Sequence, residues 1–277
     1  MKIIKVNFIG GLGNQLFQYA FCRSLMKIND ILIFDITNYK KDYLKRECSI
    51  INMNIKGKIN HSNLLRKLLT PGTKINFFIN VLGLFKFIKE TSFFLQKNIK
   101  TKDKNFILIQ GYWQSEFYFS SFRKELILEL KPISIPTLPY FMQYLNTVAI
   151  HVRRKDYLND SRYGFLGEEY YKKAIDRIKQ HVSNPTFIFF SDDLEWCKKV
   201  FNQNSTYFCD LEDWSLDYLQ LHLISRCSHQ IIANSSFSWW GAWLNENESK
   251  IVIRPAKPFH DKTLFYENYY PNSWIKI

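Results

Sequence analysis

The sequence predicts an α/β protein with parallel sheets, divided into two lobes. Three observations carry that reading. The chain opens with an apolar run, a glycine turn, a helical stretch and a second apolar run. Its second half alternates continuous apolar runs with amphipathic segments. Between the halves lies "KPISIPTLP", Lys131 to Pro139, which holds three prolines. Apolar runs without polar alternation read as strands buried on both faces, the pattern of parallel strands covered by helices. Proline lacks the amide that a helix interior or a central strand needs, so the proline-rich stretch reads as a linker. The expected lobes are residues 1–135 and 140–277.

In the first lobe "IIKVNFI" is a strand, residues 14–27 a helix, and "ILIFD", Ile31 to Asp35, a second strand. Two strands joined through a helix pair in parallel. Residues 39–104 read as irregular, with helical patches at Leu64 to Leu69 and Phe77 to Ile88. The apolar window Ile75 to Ile88 contains Lys86 and is too short to span a bilayer. It reads as a core helix or a surface-dipping segment. "FILIQGYWQ" is a strand leaving a polar and aromatic loop. "SEFYFSSFRKELILEL" has helical spacing, with Ser115 as its cap.

The second lobe is cleaner. "TVAIHV", "TFIFFS", "HQIIA" and "KIVIRP" are strands. "GEEYYKKAIDRIKQHV", "DLEWCKKVF" and "WSLDYLQLHLISRC" are helices, and "SWWGAWLN" starts another. In parallel sheets ligands bind beyond the carboxyl ends of the strands. The residues that follow each strand therefore hold the functional candidates.

After the first strand comes "GGLGNQ", Gly10 to Gln15. Its glycines allow close backbone approach, and Asn14 and Gln15 at the helix start suit contact with a sugar. A dinucleotide fingerprint would need a glycine where Leu16 stands, which removes a dehydrogenase reading. After "TVAI" comes "HVRRKDY". Neighbours on a strand point to opposite faces, so Arg153 and Arg154 divide the work. One aims a guanidinium at phosphate; the other pairs with Asp156 or a helix carboxylate. His151 is in phase with Arg153. After "TFIFF" comes "SDD", where Ser191 or Asp192 caps the next helix. After "HQIIA" comes "NSSFSWWGAWLN". Asn234, Ser235 and Ser236 occupy the strand-to-helix turn and can bind an anion without a metal. Trp239 and Trp243 share a helix face and pin the turn to the core. The chain has no D-x-D motif. The set of arginine, histidine, hydroxyls and helix amides suits a diphosphate leaving group with no divalent cation.

In that order, "GGLGNQLFQYA", "HVRRKDY", "FFSDD" and "IIANSSFSWWGAWLN" resemble the motifs of bacterial α-1,2-fucosyltransferases of glycosyltransferase family 11. The resemblance spans nearly the whole chain, apart from residues 39–104. It implies a GT-B-type fold, two Rossmann-like lobes with a cleft between them. The first would be the acceptor side and the second would bind GDP-fucose. It implies inverting transfer of fucose to the 2-hydroxyl of a terminal galactose in a bacterial surface glycan, with no metal or other cofactor. Arg153 would hold the β-phosphate, His151 would contact the nucleotide, and Asn14 would sit near the reacting sugar. Ser235, Ser236 and Phe237 would line the diphosphate, and Arg154 and Asn234 complete the donor-binding set. Relatives often carry an acidic residue a helical turn before "S-x-C"; here Gln220 stands there, with Asp217 three residues earlier.

The formal charge of +13 points to an acidic partner. A nucleic-acid binder would cluster its basic residues with exposed aromatics, whereas these lysines are dispersed. A glycan-binding protein without catalysis and a fucosyltransferase of another linkage are the remaining alternatives. The five cysteines are scattered without metal or disulfide spacing, which suits a reducing compartment. The opening lysines resemble a signal peptide, but the apolar run ends at Ile9. The expected location is cytoplasmic, with peripheral contact to the inner face of an anionic membrane. An O-antigen or other lipid-linked glycan would be the acceptor.

Overall fold

The computed structural model describes residues 1–41, 47–60, 72–90, 99, 101, 104–202, 204–261 and 268–277. The chain divides into two compact units, Met1–Lys131 and Pro132–Ile277. Each is built on a parallel sheet, the Rossmann-like, GT-B type of organisation.

The first unit contains β1 (Ile3–Asn7), α1 (Leu12–Leu25), β2 (Ile31–Asp35), β3 (Lys58–Ile59), α2 (Lys74–Val81), β4 (Phe85–Lys89), β5 (Phe106–Gln110) and α3 (Arg123–Glu129). Its sheet runs β3-β2-β1-β5-β4, so strands turn both ways from β1. Ile4, Leu32, Phe34, Ile107 and Ile109 are buried in this sheet, as continuous apolar strands require. Lys5 in β1 is also buried, and its ammonium lies 2.7 Å from Asp35. Burial pushes the Asp35 carboxyl up, but bonds from Lys5 and Thr37 outweigh it and leave the carboxyl below its ordinary range. A second inward ion pair ties α1 to α3: Arg23 donates to both oxygens of Glu129, at 2.7 and 2.8 Å. Tyr19 donates to the same carboxylate at 2.6 Å. Losing one partner of such a pair strands a buried charge, at about 3–5 kcal/mol.

Three expectations for this unit are corrected. Phe77 to Ile88 is not one helix: α2 ends at Val81, and Phe85–Lys89 is an edge strand paired with β5. Gly83 takes a left-handed φ of +66°, which stops the helix. Ser115 to Leu130 is not continuous either. Two single turns of 3-10 helix, Glu116–Tyr118 and Ser120–Phe122, precede α3. Ser115 does cap the first, accepting from the Phe117 amide at 3.3 Å. Residues 39–104 are also less irregular than expected, since they contain β3, α2 and β4. The expected patch at Leu64 to Leu69 lies outside the described residues.

The second unit contains β6 (Thr147–Val152), α4 (Gly167–Lys179), β7 (Thr186–Ser191), α5 (Leu194–Phe201), β8 (Thr206–Phe208), α6 (Asp217–Arg226), β9 (His229–Ile231), α7 (Ser236–Leu244), β10 (Val252–Arg254) and β11 (Ile275–Lys276). Its sheet runs β11-β10-β9-β6-β7-β8, the doubly wound order of dinucleotide-binding folds. One face carries Val148, Ile150, Tyr171, Ile178, Phe189 and Phe201. The other carries Ala149, Ile188, Phe190, Leu223 and Ile224. Sequence order reverses between β6 and β9, and that is where such sheets open a crevice. All five cysteines are buried, free thiols.

Candidate active site

The second unit's reversal point gathers the residues that follow β6 and β9. His151 belongs to β6 and is only 5% exposed. Its ring lies against Phe237, with centroids 5.1 Å apart. Burial, helped by the charge of Arg153, pushes its pKa down to about 3, so the imidazole is neutral. Its Nδ1 is buried without a hydrogen-bond partner. A neutral ring offers a ligand one donor and one acceptor and adds no charge to the site.

Arg153 leaves the same strand end. Its guanidinium is 2.5 Å from Asp156 and 3.5 Å from Asp192, and lies 5.8 Å from the Tyr157 ring centroid. Its side chain is 37% exposed, so the charge is paired yet open to a ligand. Arg154 turns elsewhere. It donates to Asp193 at 2.6 Å and lies over Phe165 and Trp196, 5.5 and 5.2 Å from their centroids. Its backbone amide donates to Asp192 at 2.9 Å. Here the "SDD" stretch corrects an expectation. The cap of α5 is Asp193, which accepts from the Trp196 amide, while Ser191 accepts from the amide of Asp193. The adjacent carboxylates serve to hold two arginines and a helix start.

The third contribution is the turn between β9 and α7. Ser235 caps α7, accepting from the Phe237 amide at 3.3 Å. The helix therefore begins at Ser236, two residues before the expected start. Asn234 is buried, and its amide nitrogen donates to the carbonyls of Tyr163 and Gly164 at 2.8 and 3.2 Å. That fixes its Oδ1 as an acceptor, and this atom has no partner. Tyr157 donates to the Asn234 carbonyl at 3.4 Å and stacks on Tyr163 at 4.9 Å. Behind the turn the indoles are structural. Trp239 stacks on Trp243 and donates to the Tyr269 carbonyl at 2.8 Å. Gly241 is required by the close approach of α6, since a Cβ there would stand 2.4 Å from Ile224. The positive end of a capped helix favours an anion, and Tyr157 ties this one to the strand end that carries Arg153.

In the first unit the matching place lies between β1 and β5. Gly10 has φ of +80°, and a Cβ there would meet the Asn14 amide at 2.5 Å. Gln15 and Gln18 pin this loop. Gln15 donates to the carbonyls of Gly10 and Glu47, and Gln18 accepts from the Ile9 amide. Asn14 remains half-buried, and its Oδ1 accepts from Gln114 at 2.8 Å. The turn after β5 is held by Glu90, which accepts from the amides of Tyr112 and Trp113 at 2.7 and 3.1 Å. Burial keeps the Glu90 carboxyl above its ordinary pKa despite those bonds.

Of the expected residues, His151, Arg153, Asn234, Ser235, Ser236 and Phe237 come together at the second unit's reversal point. Arg154 starts there but spends its charge on Asp193. Asn14 belongs to the first unit. The sequence does not single out Tyr157, Gln114 or Glu90. The tyrosine's one signal was its place in "HVRRKDY"; Gln114 followed a strand in "GYWQ". Asp217 stands at the start of α6 with Gln220 one turn on. Among the described residues no three His, Cys, Asp or Glu side chains group closely enough for a metal ion.

Two Rossmann-like units, each built on a parallel sheet, are the GT-B type of architecture. The chain belongs to glycosyltransferase family 11: the family model "Glycosyl transferase family 11" matches residues 3–277. It is similar to an alpha-1,2-colitosyltransferase of Escherichia coli, 31% identical over 100% of this chain and 99% of that one. It is also similar to the O-antigen biosynthesis glycosyltransferase WbnK of Escherichia coli, 30% identical over 90% of this chain and 93% of the other. A galactoside 2-alpha-L-fucosyltransferase of Caenorhabditis elegans is 25% identical, over 99% of this chain and 79% of that one.

Proposed function

We propose that this glycosyltransferase moves L-fucose from GDP-fucose to the 2-hydroxyl of a terminal galactose in a bacterial surface glycan such as O-antigen. The anomeric carbon inverts, and no metal takes part. The observation that carries the reading is Tyr157, which joins Arg153, 5.8 Å from its ring centroid, to the Asn234 carbonyl just ahead of the Ser235-capped start of α7. The acceptor oxygen forms a bond to the anomeric carbon as the bond to the β-phosphate oxygen breaks. GDP leaves with the electron pair, and the acceptor hydroxyl gives up its proton to a base. The charge that grows on the β-phosphate falls to the Arg153 guanidinium and the α7 amides. Neutral His151 and the Asn234 oxygen supply hydrogen bonds to the nucleotide. Asn14 contributes an amide to the reacting sugar.

A second donor reading is favoured by the full-length similarity to a colitosyltransferase. Colitose is 3-deoxy-L-fucose, so both readings share the linkage and the handling of the diphosphate. The test supplies GDP-fucose or GDP-colitose with a galactose-ended oligosaccharide, with and without EDTA, and follows free GDP and the product linkage. GDP-fucose should turn over faster, form the 2-linked product and be indifferent to EDTA. Preference for GDP-colitose would replace the donor. Dependence on manganese or magnesium would remove the metal-free mechanism. Glycan binding without any GDP release would remove the catalytic reading.

A further inference from the structure

We infer that α2 and the adjoining edge strand β4 form a docking surface for an anionic lipid bilayer. On α2 and the turn after it, Phe77, Phe78, Val81 and Leu82 are 64%, 66%, 67% and 70% exposed. Phe77 and Phe78 touch edge to face, so one aromatic pair stands outside the core. Phe87 on β4 is also exposed. Scattered apolar residues are ordinary on a surface, but four large ones gathered at the end of a helix and the turn after it mark an interaction site.

The charge around the patch selects the occupant. Among the described residues from 74 to 104 there are four lysines against one acidic residue, Glu90. Glu90 spends its carboxylate on the amides of Tyr112 and Trp113. Lys74, Lys86, Lys89 and Lys104 belong to the described residues of this region, and α2 has no acidic residue. Lysines on β4 also keep a sheet edge from pairing with another strand, a role that leaves the exposed phenylalanines unexplained. Apolar side chains on elements that also carry lysines are what an anionic bilayer accepts: the aromatic rings enter the acyl boundary and the ammonium groups stay among the headgroups. A second copy of the chain fits poorly, because a two-fold contact would set the lysines against each other. Nucleic acid would use the lysines and leave the apolar turn idle.

The test is flotation of the full-length protein with vesicles of phosphatidylcholine alone or with about one-third phosphatidylglycerol, at low and high salt. Binding should require phosphatidylglycerol and weaken with salt. The double variant Phe77→Ser with Phe78→Ser should lose at least about tenfold in binding at low salt, and Lys74→Glu with Lys89→Glu a similar amount. Circular dichroism shows whether each variant keeps its fold. No binding to either vesicle by the unaltered protein would overturn the proposal. So would vesicle binding that both folded variants retain, or a concentration-dependent dimer that only the phenylalanine variant loses. These readouts need no donor or acceptor, so they stand apart from the transferase assay.

Discussion

The two strand ends at the sheet reversals are built from opposite chemistry. Beyond β6 and β9 the chain sets out charge and hydroxyls: Arg153 half open, Ser235 at a helix start, Tyr157 on the turn. Beyond β1 and β5 it sets out amides and rings: Asn14 held by Gln114, with Tyr112 and Trp113 on a turn fixed by Glu90. The charges of the first unit's interior are spent on each other, Lys5 on Asp35 and Arg23 on Glu129. Under the proposed function, the set beyond β6 and β9 would hold the diphosphate and the set beyond β1 and β5 a neutral, hydroxyl-rich group.

The largest expected effect tests the charged end. Arg153→Ala should lower turnover at least about a hundredfold, in line with losing one preorganised donor to a developing oxyanion. Near-normal transfer by this variant would dissolve the contrast. A smaller effect sharpens the neutral end. Gln114→Ala frees the Asn14 amide to rotate and should cost about tenfold in kcat/KM, as a displaced positioning group does. Affinity for GDP, measured by calorimetry, should be unchanged. A weakened GDP affinity would mean that the first unit shares in the anion site. The smallest effect is on the pH profile. With its pKa pushed down to about 3, His151 stays neutral, so kcat/KM should show no inflection from it between about pH 5 and pH 8. Stability carries the opposite signature. Between the ordinary histidine value and about 3 the unfolded chain takes up a proton that the folded chain refuses. The stability contribution is whole above the ordinary value and drains as pH falls below it. A denaturation midpoint that falls from about pH 7 to about pH 4, and falls less in His151→Gln, would show it.

The second unit's sheet was legible because its strands are long continuous apolar runs, and the residues after β6 and β9 were legible because the reversal rule points there. What stayed hidden was short or ambiguous. β3 and β11 are two residues each, below any period. β4 was lost inside the apolar run Ile75 to Ile88, where Gly83 is the sole sign of a break. Tyr157 and Gln114 act through hydrogen bonds to distant backbone and side chain, which spacing along the chain does not encode. After β7 the sequence offers Ser191 or Asp192 as a cap; the cap at Asp193 and the grip of Asp192 and Asp193 on Arg153 and Arg154 need the fold to show them.

The pairing of β1 with β5 has a bearing on how the protein is made. Ile3 has its partner in Phe106, so β1 has one flank uncovered until most of the unit has been synthesised. Fragments that stop short of Gln110 would leave an open central edge and invite aggregation, whereas a break after Lys131 keeps that neighbour in place.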